Sequence, residues 1–371
     1  MRSVGTLVLV ALTAMAGAAG TGAEGRAHAA EIRIALAAPL SGQRAPRGLA
    51  MARALADAVA KANAAGGVLG AQVLLDVEDD GCQRAMAEGA ARAIVARGAR
   101  LVIGHPCSHA AVAARAVYAE AGTLFIAVGA RHPDVTRTPP AGPVLRLAGR
   151  DDRQGTAAAH WLLAHAPGRR IAIVQDRTAY ARAIADQAAA TLAAAGVETV
   201  LTLPIVAGRP DYAETVARIS SLGAEAVLFA GYPDEAAVLI ANLDSAGLTS
   251  AVLGVDALAT GEFAAIAARS ERTIEVLLPS DPAPQGADDE AAAAAQARGA
   301  FELWCRVVAL AGATDGATLA ARVRTEDGGI ETEALGRLAF DPSGDLAADA
   351  FKPASALAGA WIVGGPGRGK N

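Results

Sequence analysis

The chain has 371 residues and a formal net charge of -5; 53% of it is hydrophobic and only 4% aromatic. The acidic balance argues against a nucleic-acid partner, and the length suffices for two domains of ordinary size. The high alanine content favours helices and says little about function.

The first 29 residues read as an export signal. Arg2 supplies a short basic region, Leu7 to Ala19 an apolar stretch, and Ala27-His28-Ala29 a small-residue cleavage motif. Cleavage is expected near Ala29 or Ala30. The apolar stretch is short for a membrane span, which needs about 20 residues, though an uncleaved anchor is the alternative reading. No Cys sits near the cleavage point, so a lipid anchor there is not expected.

Beyond it, short apolar strands alternate with amphipathic helices. Ile32 to Leu36 reads as a strand, and Pro46 to Ala65 as a helix ended by Gly66-Gly67. Strands at Val73 to Val77, Leu101 to Ile103 and Leu124 to Val128 alternate with helices at Arg84 to Arg97 and His109 to Ala121. The pattern restarts at Asp151. Helices are expected over Asp151 to His165, Tyr180 to Ala195, Tyr212 to Leu222 and Asp234 to Ala246. Strands are expected at Ile171 to Val174, Val197 to Leu203, Ala226 to Phe229 and Val252 to Gly254. Such alternation implies βαβ units on parallel sheets, and two successive sets imply an α/β protein of two lobes. Ligands of such sheets sit beyond the strand carboxyl ends, here at Ser41, Asp79, His105, Gly129, Asp176, Gly231 and Asp256. The last third is less regular. Ala287 to Gly312 reads as one helix weakly broken at Gly299, and Thr314 to Arg324 as another. A strand running into a turn is expected over Leu338 to Asp345, and a last strand over Ala360 to Val363.

Cys82 and Cys107 follow the second and third strands. Loops at the ends of neighbouring strands can bring two Cα atoms within disulfide range, with two free thiols as the alternative. Cys305 lies inside a helix and reads as a buried free thiol. Several patterns are decoys. Gly364 to Lys370 has phosphate-loop spacing, but Asn371 follows the Lys and no helix can open there. His105, Cys107 and His109 suggest a metal cluster, but Pro106 breaks any helical face and no fourth ligand is evident. Glu78, Asp79 and Asp80 could serve acid–base work, yet strand-end acids are more often rim residues. No nucleophile elbow or metalloprotease motif occurs, so neither catalysis nor a metal or cofactor is expected.

Ala38-Pro39-Leu40-Ser41-Gly42, Asn63 to Gly70, the two matched cysteines and Phe340 to Asp345 together resemble the periplasmic branched-chain amino-acid binding proteins of ABC importers. The likeness is densest from Pro39 to Thr136 and weak towards Trp361. It implies a type 1 periplasmic binding fold: two Rossmann-like lobes joined by three crossing strands around a ligand cleft. It implies a Cys82–Cys107 disulfide, a periplasmic location, a membrane permease as partner, a monomer and no catalysis. The lobe boundaries it implies are 30–148 plus 280–354 and 149–279 plus 355–363, with a disordered tail over 364–371. Crossings are expected near 147–151, 278–280 and 352–357. A sensory module presenting the same cleft to a signalling partner is the rival reading.

Residue by residue, Ser108 matches the serine that binds the ligand carboxylate, and Gly129 and Ala130 match the next ligand-facing loop. Tyr180 and Tyr232 match second-lobe tyrosines, and Asp256 replaces a glutamate that pairs with the ligand ammonium. Ser108 could instead be only a helix cap, the tyrosines packing residues and Asp256 a loop acid. Two departures stand out: Arg47 replaces an aromatic and Arg131 a threonine. If both face the cleft rather than solvent, two unpaired guanidiniums would select an acidic ligand, an aromatic acid, a dicarboxylate or another organic acid among the options.

Overall fold

The computed structural model describes residues 30–137, 142–284, 287–348, 350–357 and 359–364. The expected export signal, and the tail from 365 onwards, lie outside the described residues.

The first lobe is built from β1 (Glu31–Ala38), α1 (Ala45–Ala64), β2 (Gln72–Asp79), α2 (Arg84–Ala96), β3 (Leu101–Gly104), α3 (Ser108–Glu120), β4 (Leu124–Ala127), the short α4 (Asp134–Arg137) and β5 (Val144–Arg146). The second holds α5 (Gln154–His165), β6 (Ile171–Gln175), α6 (Ala179–Ala194), β7 (Leu201–Pro204), α7 (Ala213–Ser221), β8 (Ala226–Ala230), α8 (Pro233–Ser245), β9 (Ala251–Gly254), α9 (Gly261–Ala267) and β10 (Ile274–Pro279). The chain then returns to the first lobe with α10 (Asp289–Ala311), α11 (Gly316–Arg324) and a ribbon of β11 (Ile330–Thr332) and β12 (Gly336–Leu338). It ends in β13 (Phe351–Leu357) and β14 (Ala360–Val363).

One sheet has the order β2-β1-β3-β4-β5, all parallel. The other has the order β14-β13-β10-β9-β8-β6-β7, parallel except where β13 pairs antiparallel with β10 and β14. Strands β3, β4, β6 and β8 are buried along their whole length, which is why they read as unbroken apolar runs. In the first lobe α1 and α10 cover one face, with Met51, Leu55, Phe301 and Trp304 in the core. The α2 and α3 helices cover the other through alanines, Ile94 and Tyr118. The expected break at Gly299 does not occur: α10 runs through it. A Cβ there would sit 2.5 Å from the Leu335 side chain, so glycine is kept for close packing and not for a bend.

The chain passes between sheets after β5, after β10 and before β13. Residues 351–354, expected in the first lobe, pair with β10 in the second sheet from Phe351 onwards. Strands β5, β10, β11 and β13 and helix α9 went unread in the sequence. Three of them are three to six residues long, and β13 carries a proline and a lysine that disguise it. The turn over 341–345 does follow an extended segment. Asp341 Oδ1 accepts from the backbone N–H groups of Ser343 and Asp345 at 2.9 and 3.0 Å and so closes it.

The Cys82–Cys107 disulfide is present, with the Cα atoms 5.6 Å apart, and Cys305 is free. Its strands are not neighbours, however, because β1 lies between β2 and β3. The bridge spans β1, and Gly81, Cys82 and His105 beside it adopt left-handed backbone conformation. The thiol of Cys305 is pushed up to about 12, chiefly by burial, which leaves it poorly reactive at neutral pH.

Candidate functional site

On the second lobe, Tyr180 in the first turn of α6, and Tyr232 and Asp256 in the loops after β8 and β9, lie at the strand carboxyl ends. Thr178 caps α6 by accepting the Ala181 N–H at 3.1 Å, and Asp176 Oδ1 accepts from both the N–H and the hydroxyl of Thr178. This fixes the first turn of α6 and points Tyr180 across the loop. Its hydroxyl donates to Asp256 Oδ1, and Gln154 Nε2 donates to the same oxygen at 2.8 Å. Burial first, and the Asp256 contact second, hold the Tyr180 phenol far above its ordinary value, so it stays a donor. Tyr232 is half exposed at the start of α8, its ring 6.3 Å from that of Tyr180. Tyr180, Gln154 and Asp256, but not Tyr232, line a cavity of 400 Å³ together with His132, Asp151 and Phe351.

On the first lobe, Ser108 opens α3. Its Oγ accepts the backbone N–H groups of Arg131 and His132 at 3.0 and 3.2 Å, so it ties the loop after β4 to the α3 N-terminus. Among the described residues its own hydroxyl hydrogen has no acceptor and can donate. Gly129 adopts φ +83°, and Ala130 is fully buried beside it. A Cβ at Gly129 would meet Arg47 Nη2 at 2.6 Å, so the missing side chain lets the Arg47 guanidinium lie on the loop. Arg47 and Gly129 thus meet.

The two guanidiniums are not unpaired. Arg47 Nη1 donates to Asp289 Oδ1 at 2.7 Å, in the first turn of α10, where a carboxylate is also favoured by the helix dipole. Arg131 Nη2 donates to Asp281 Oδ1 at 2.6 Å. The segment between β10 and α10 supplies one counter-ion, Asp281, and the first turn of α10 the other, Asp289. The physical reason is desolvation: a partly buried cation without a partner is costly, and the chain carries its own anions to the spot. The cleft charge is therefore not the doubly positive one expected. On the second lobe, Asp256 is held by two neutral donors, Tyr180 and Gln154.

Asp151 and Asp152, at the first crossing, titrate in opposite directions. The walls around Asp151 raise its value, Arg131 opposing and Asp256 adding to the rise. For Asp152 burial also pushes upwards, but hydrogen bonds from Arg150 and Arg137 outweigh it and hold the group below its usual range.

Two buried polar clusters escaped the sequence reading. Arg146 is fully buried. It donates through Nε and Nη2 to Asp345 Oδ1 at 2.8 and 2.6 Å, to Thr136 Oγ1, and through Nη1 to the His132 carbonyl at 2.7 Å. Arg150 and Arg153 add contacts to Asp345 and Asp341, so the cluster knits the first crossing to the turn over 341–345. Under the disulfide, His105 Nδ1 lies 2.9 Å from Asp80 Oδ2, and its Nε2 lies 2.8 Å from the Tyr118 hydroxyl, all three residues being fully buried. Asp80 and His105, weighed as an acid–base group and a metal ligand, are committed to this core network. Gln154, Asp151 and Phe351, which line the cavity, and Asp281, which holds Arg131, were also missed. The one available signal was their position at chain crossings, where both lobes converge.

A family model described as periplasmic binding protein matches residues 31–301. The Leu/Ile/Val-binding protein BraC3 of Rhizobium johnstonii is 32% identical over 338 residues, which cover 88% of this chain and 91% of that protein. Leu/Ile/Val-binding protein homolog 3 of Brucella melitensis biotype 1 is 30% identical over 352 residues, covering 92% and 95%. Among solved structures, a putative branched-chain amino acid ABC transporter from Rhodospirillum rubrum aligns with a TM-score of 0.71 at 20% identity, over 90% of this chain and 99% of that one. An ABC transporter substrate-binding protein from Desulfitobacterium hafniense, in complex with Leu, aligns with a TM-score of 0.62 at 21% identity and the same coverage. Two parallel-sheet lobes with a polar cleft at their strand ends, and a sequence match over most of the chain, place this chain in the periplasmic binding protein family.

Proposed function

We propose that the chain is a solute-binding receptor that captures a small amino acid between its lobes and delivers it to an ABC importer. The carrying observation is the charge layout of the cleft. One wall offers anion donors: the Ser108 hydroxyl, the α3 N-terminus and the Arg131 guanidinium beside the Gly129–Ala130 loop. The other offers Asp256, held by Tyr180 and Gln154, with Asp151 nearby. A zwitterion satisfies both walls, whereas an organic acid satisfies only the first. Tyr180 and Tyr232 supply the faces that cover an apolar side chain. The names of the relatives, Leu/Ile/Val-binding proteins, support the same ligand class. Arg47, anchored to Asp289, serves as a rim residue that shapes the loop.

The receptor acts as a monomer in the periplasm after cleavage near Ala29, and a membrane permease is its partner. A thermal-shift screen of L-amino acids against dicarboxylates and aromatic acids tests the ligand class. An amino acid at 100 times its Kd should stabilise by about 2.7 kcal/mol. A response to organic acids alone would overturn the amino-acid reading. Amino-terminal sequencing of the exported protein tests the cleavage point.

A further inference from the structure

Arg131 is the residue on which all three crossings meet. Its backbone N–H donates to Ser108 Oγ, and its carbonyl accepts the Asp151 N–H at 3.1 Å. Its guanidinium donates through Nη2 to Asp281 Oδ1 at 2.6 Å and through Nη1 to the Gly149 carbonyl at 3.4 Å. It lies 5.7 Å from the centre of the Phe351 ring. Gly149 and Asp151 belong to the first crossing, Asp281 to the second, and Phe351 to the strand that follows the third. The same Asp281 oxygen also accepts the Gly149 N–H at 2.9 Å. One carboxylate thus ties an arginine of the ligand loop to the backbone of the first crossing.

This arrangement is poised for exchange. Asp281 engages only one arm of the guanidinium, and the other arm rests on a neutral carbonyl at long distance. A free carboxylate can engage both arms in parallel, a stronger and better-oriented pairing. The Arg131 and Asp281 side chains keep 18% and 21% of their exposure, so water and a small anion can reach the pair.

We propose that Asp281 is a stand-in carboxylate: it holds Arg131 against the first crossing until the ligand's carboxylate replaces it, and this exchange releases Gly149 so that the lobes can move. Asp281 thereby sets both ligand affinity and the coupling of binding to closure. The inference rests on the receptor reading above, with Arg131 at the carboxylate end of the cleft. A ligand can shift the lobes only through contacts that differ between the two states, and this exchange is such a difference.

The test is a double-mutant cycle on the full mature chain, read by isothermal titration with L-leucine, or whichever L-amino acid the screen returns, and with its amide. Asp281→Asn removes the competing charge but keeps an acceptor for the Gly149 N–H. It should tighten binding of the amino acid at least about tenfold and leave the amide unchanged. The gain should vanish in the Arg131→Thr background. Unchanged or weaker binding of the amino acid, or equal tightening of both probes, would overturn the proposal. If the wild-type protein binds no amino acid, the receptor reading fails by itself and the latch is read without ligand. Asp281→Ala should then speed amide exchange in the segment containing Gly149 by about tenfold, with Asp289→Ala as a control that leaves it unchanged. Equal exchange in the two variants would overturn the latch.

Discussion

The interior of the crossings and the mouth of the cleft both rely on arginine–aspartate contacts, and they use them to different ends. Arg146 and Asp345 are almost entirely withdrawn from water, and every nitrogen of Arg146 has an acceptor. Arg47 leans on one carboxylate that is itself 70% exposed, and Arg131 on one carboxylate and a distant carbonyl. The difference teaches how solvation divides the labour. A fully desolvated guanidinium must be saturated, because any missing partner leaves a buried charge uncompensated. A guanidinium at the rim can change partners at small cost, because water and salt stand in for what is lost. The first arrangement holds the crossings in register; the second leaves its partners open to exchange.

The sharpest break of this contrast is Asp345→Ala. It strands Arg146 in the interior and should cost about 3–5 kcal/mol of stability, measured by urea unfolding. A loss below about 1 kcal/mol would show that the crossing interior is as forgiving as the rim. Next in size is Arg131→Thr. It should weaken binding of the amino-acid ligand by well over tenfold, about 1.4 kcal/mol or more, while moving the unfolding midpoint little. A variant that unfolds easily but binds normally would place Arg131 with the interior cluster.

The pH dependence sharpens the contrast further. Asp152 is held below its usual value, so its contribution to stability is present above the unfolded carboxylate value of about 3.9 and is lost as pH falls through the lower native value. Asp152→Asn should therefore flatten the acid limb of a stability–pH profile. Asp151, raised in the fold, has the opposite sign: its contribution is full below about 3.9 and lost as pH rises through the native value. Asp151→Asn should leave the acid limb in place. Identical profiles for the two variants would show that the arginines around Asp152 do not distinguish it from its neighbour. The smallest effect belongs to Arg47→Ala. With its partner Asp289 open to solvent, the change in ligand affinity should stay within about threefold. A loss comparable to that of Arg131→Thr would move Arg47 from the rim into the ligand contacts.

Much of the architecture is legible along the chain because it is repeated and local. Buried parallel strands must be apolar throughout, so Leu101 to Gly104 and Leu124 to Ala127 announce themselves, and glycines such as Gly66, Gly196 and Gly247 mark where helices stop. The restart of the alternation at Asp151 announces a second lobe for the same reason. The loops bearing Ser108, Gly129, Tyr180 and Asp256 follow, because parallel strands deliver their carboxyl ends to one edge. The cysteine pair is legible too, although not the strand between its members. The partners of the charges are what the sequence alone leaves open. Asp281 is 150 residues from Arg131, Asp289 is 242 from Arg47, and Asp345 is 199 from Arg146. Nothing local marks these aspartates among the other acids, since each matters only through the crossing that brings it to its arginine. Composition and periodicity determined the lobes and their edges. Only the tertiary structure decided which charges the molecule neutralises itself, because the cost of burying a charge depends on neighbours the chain meets only after it has folded.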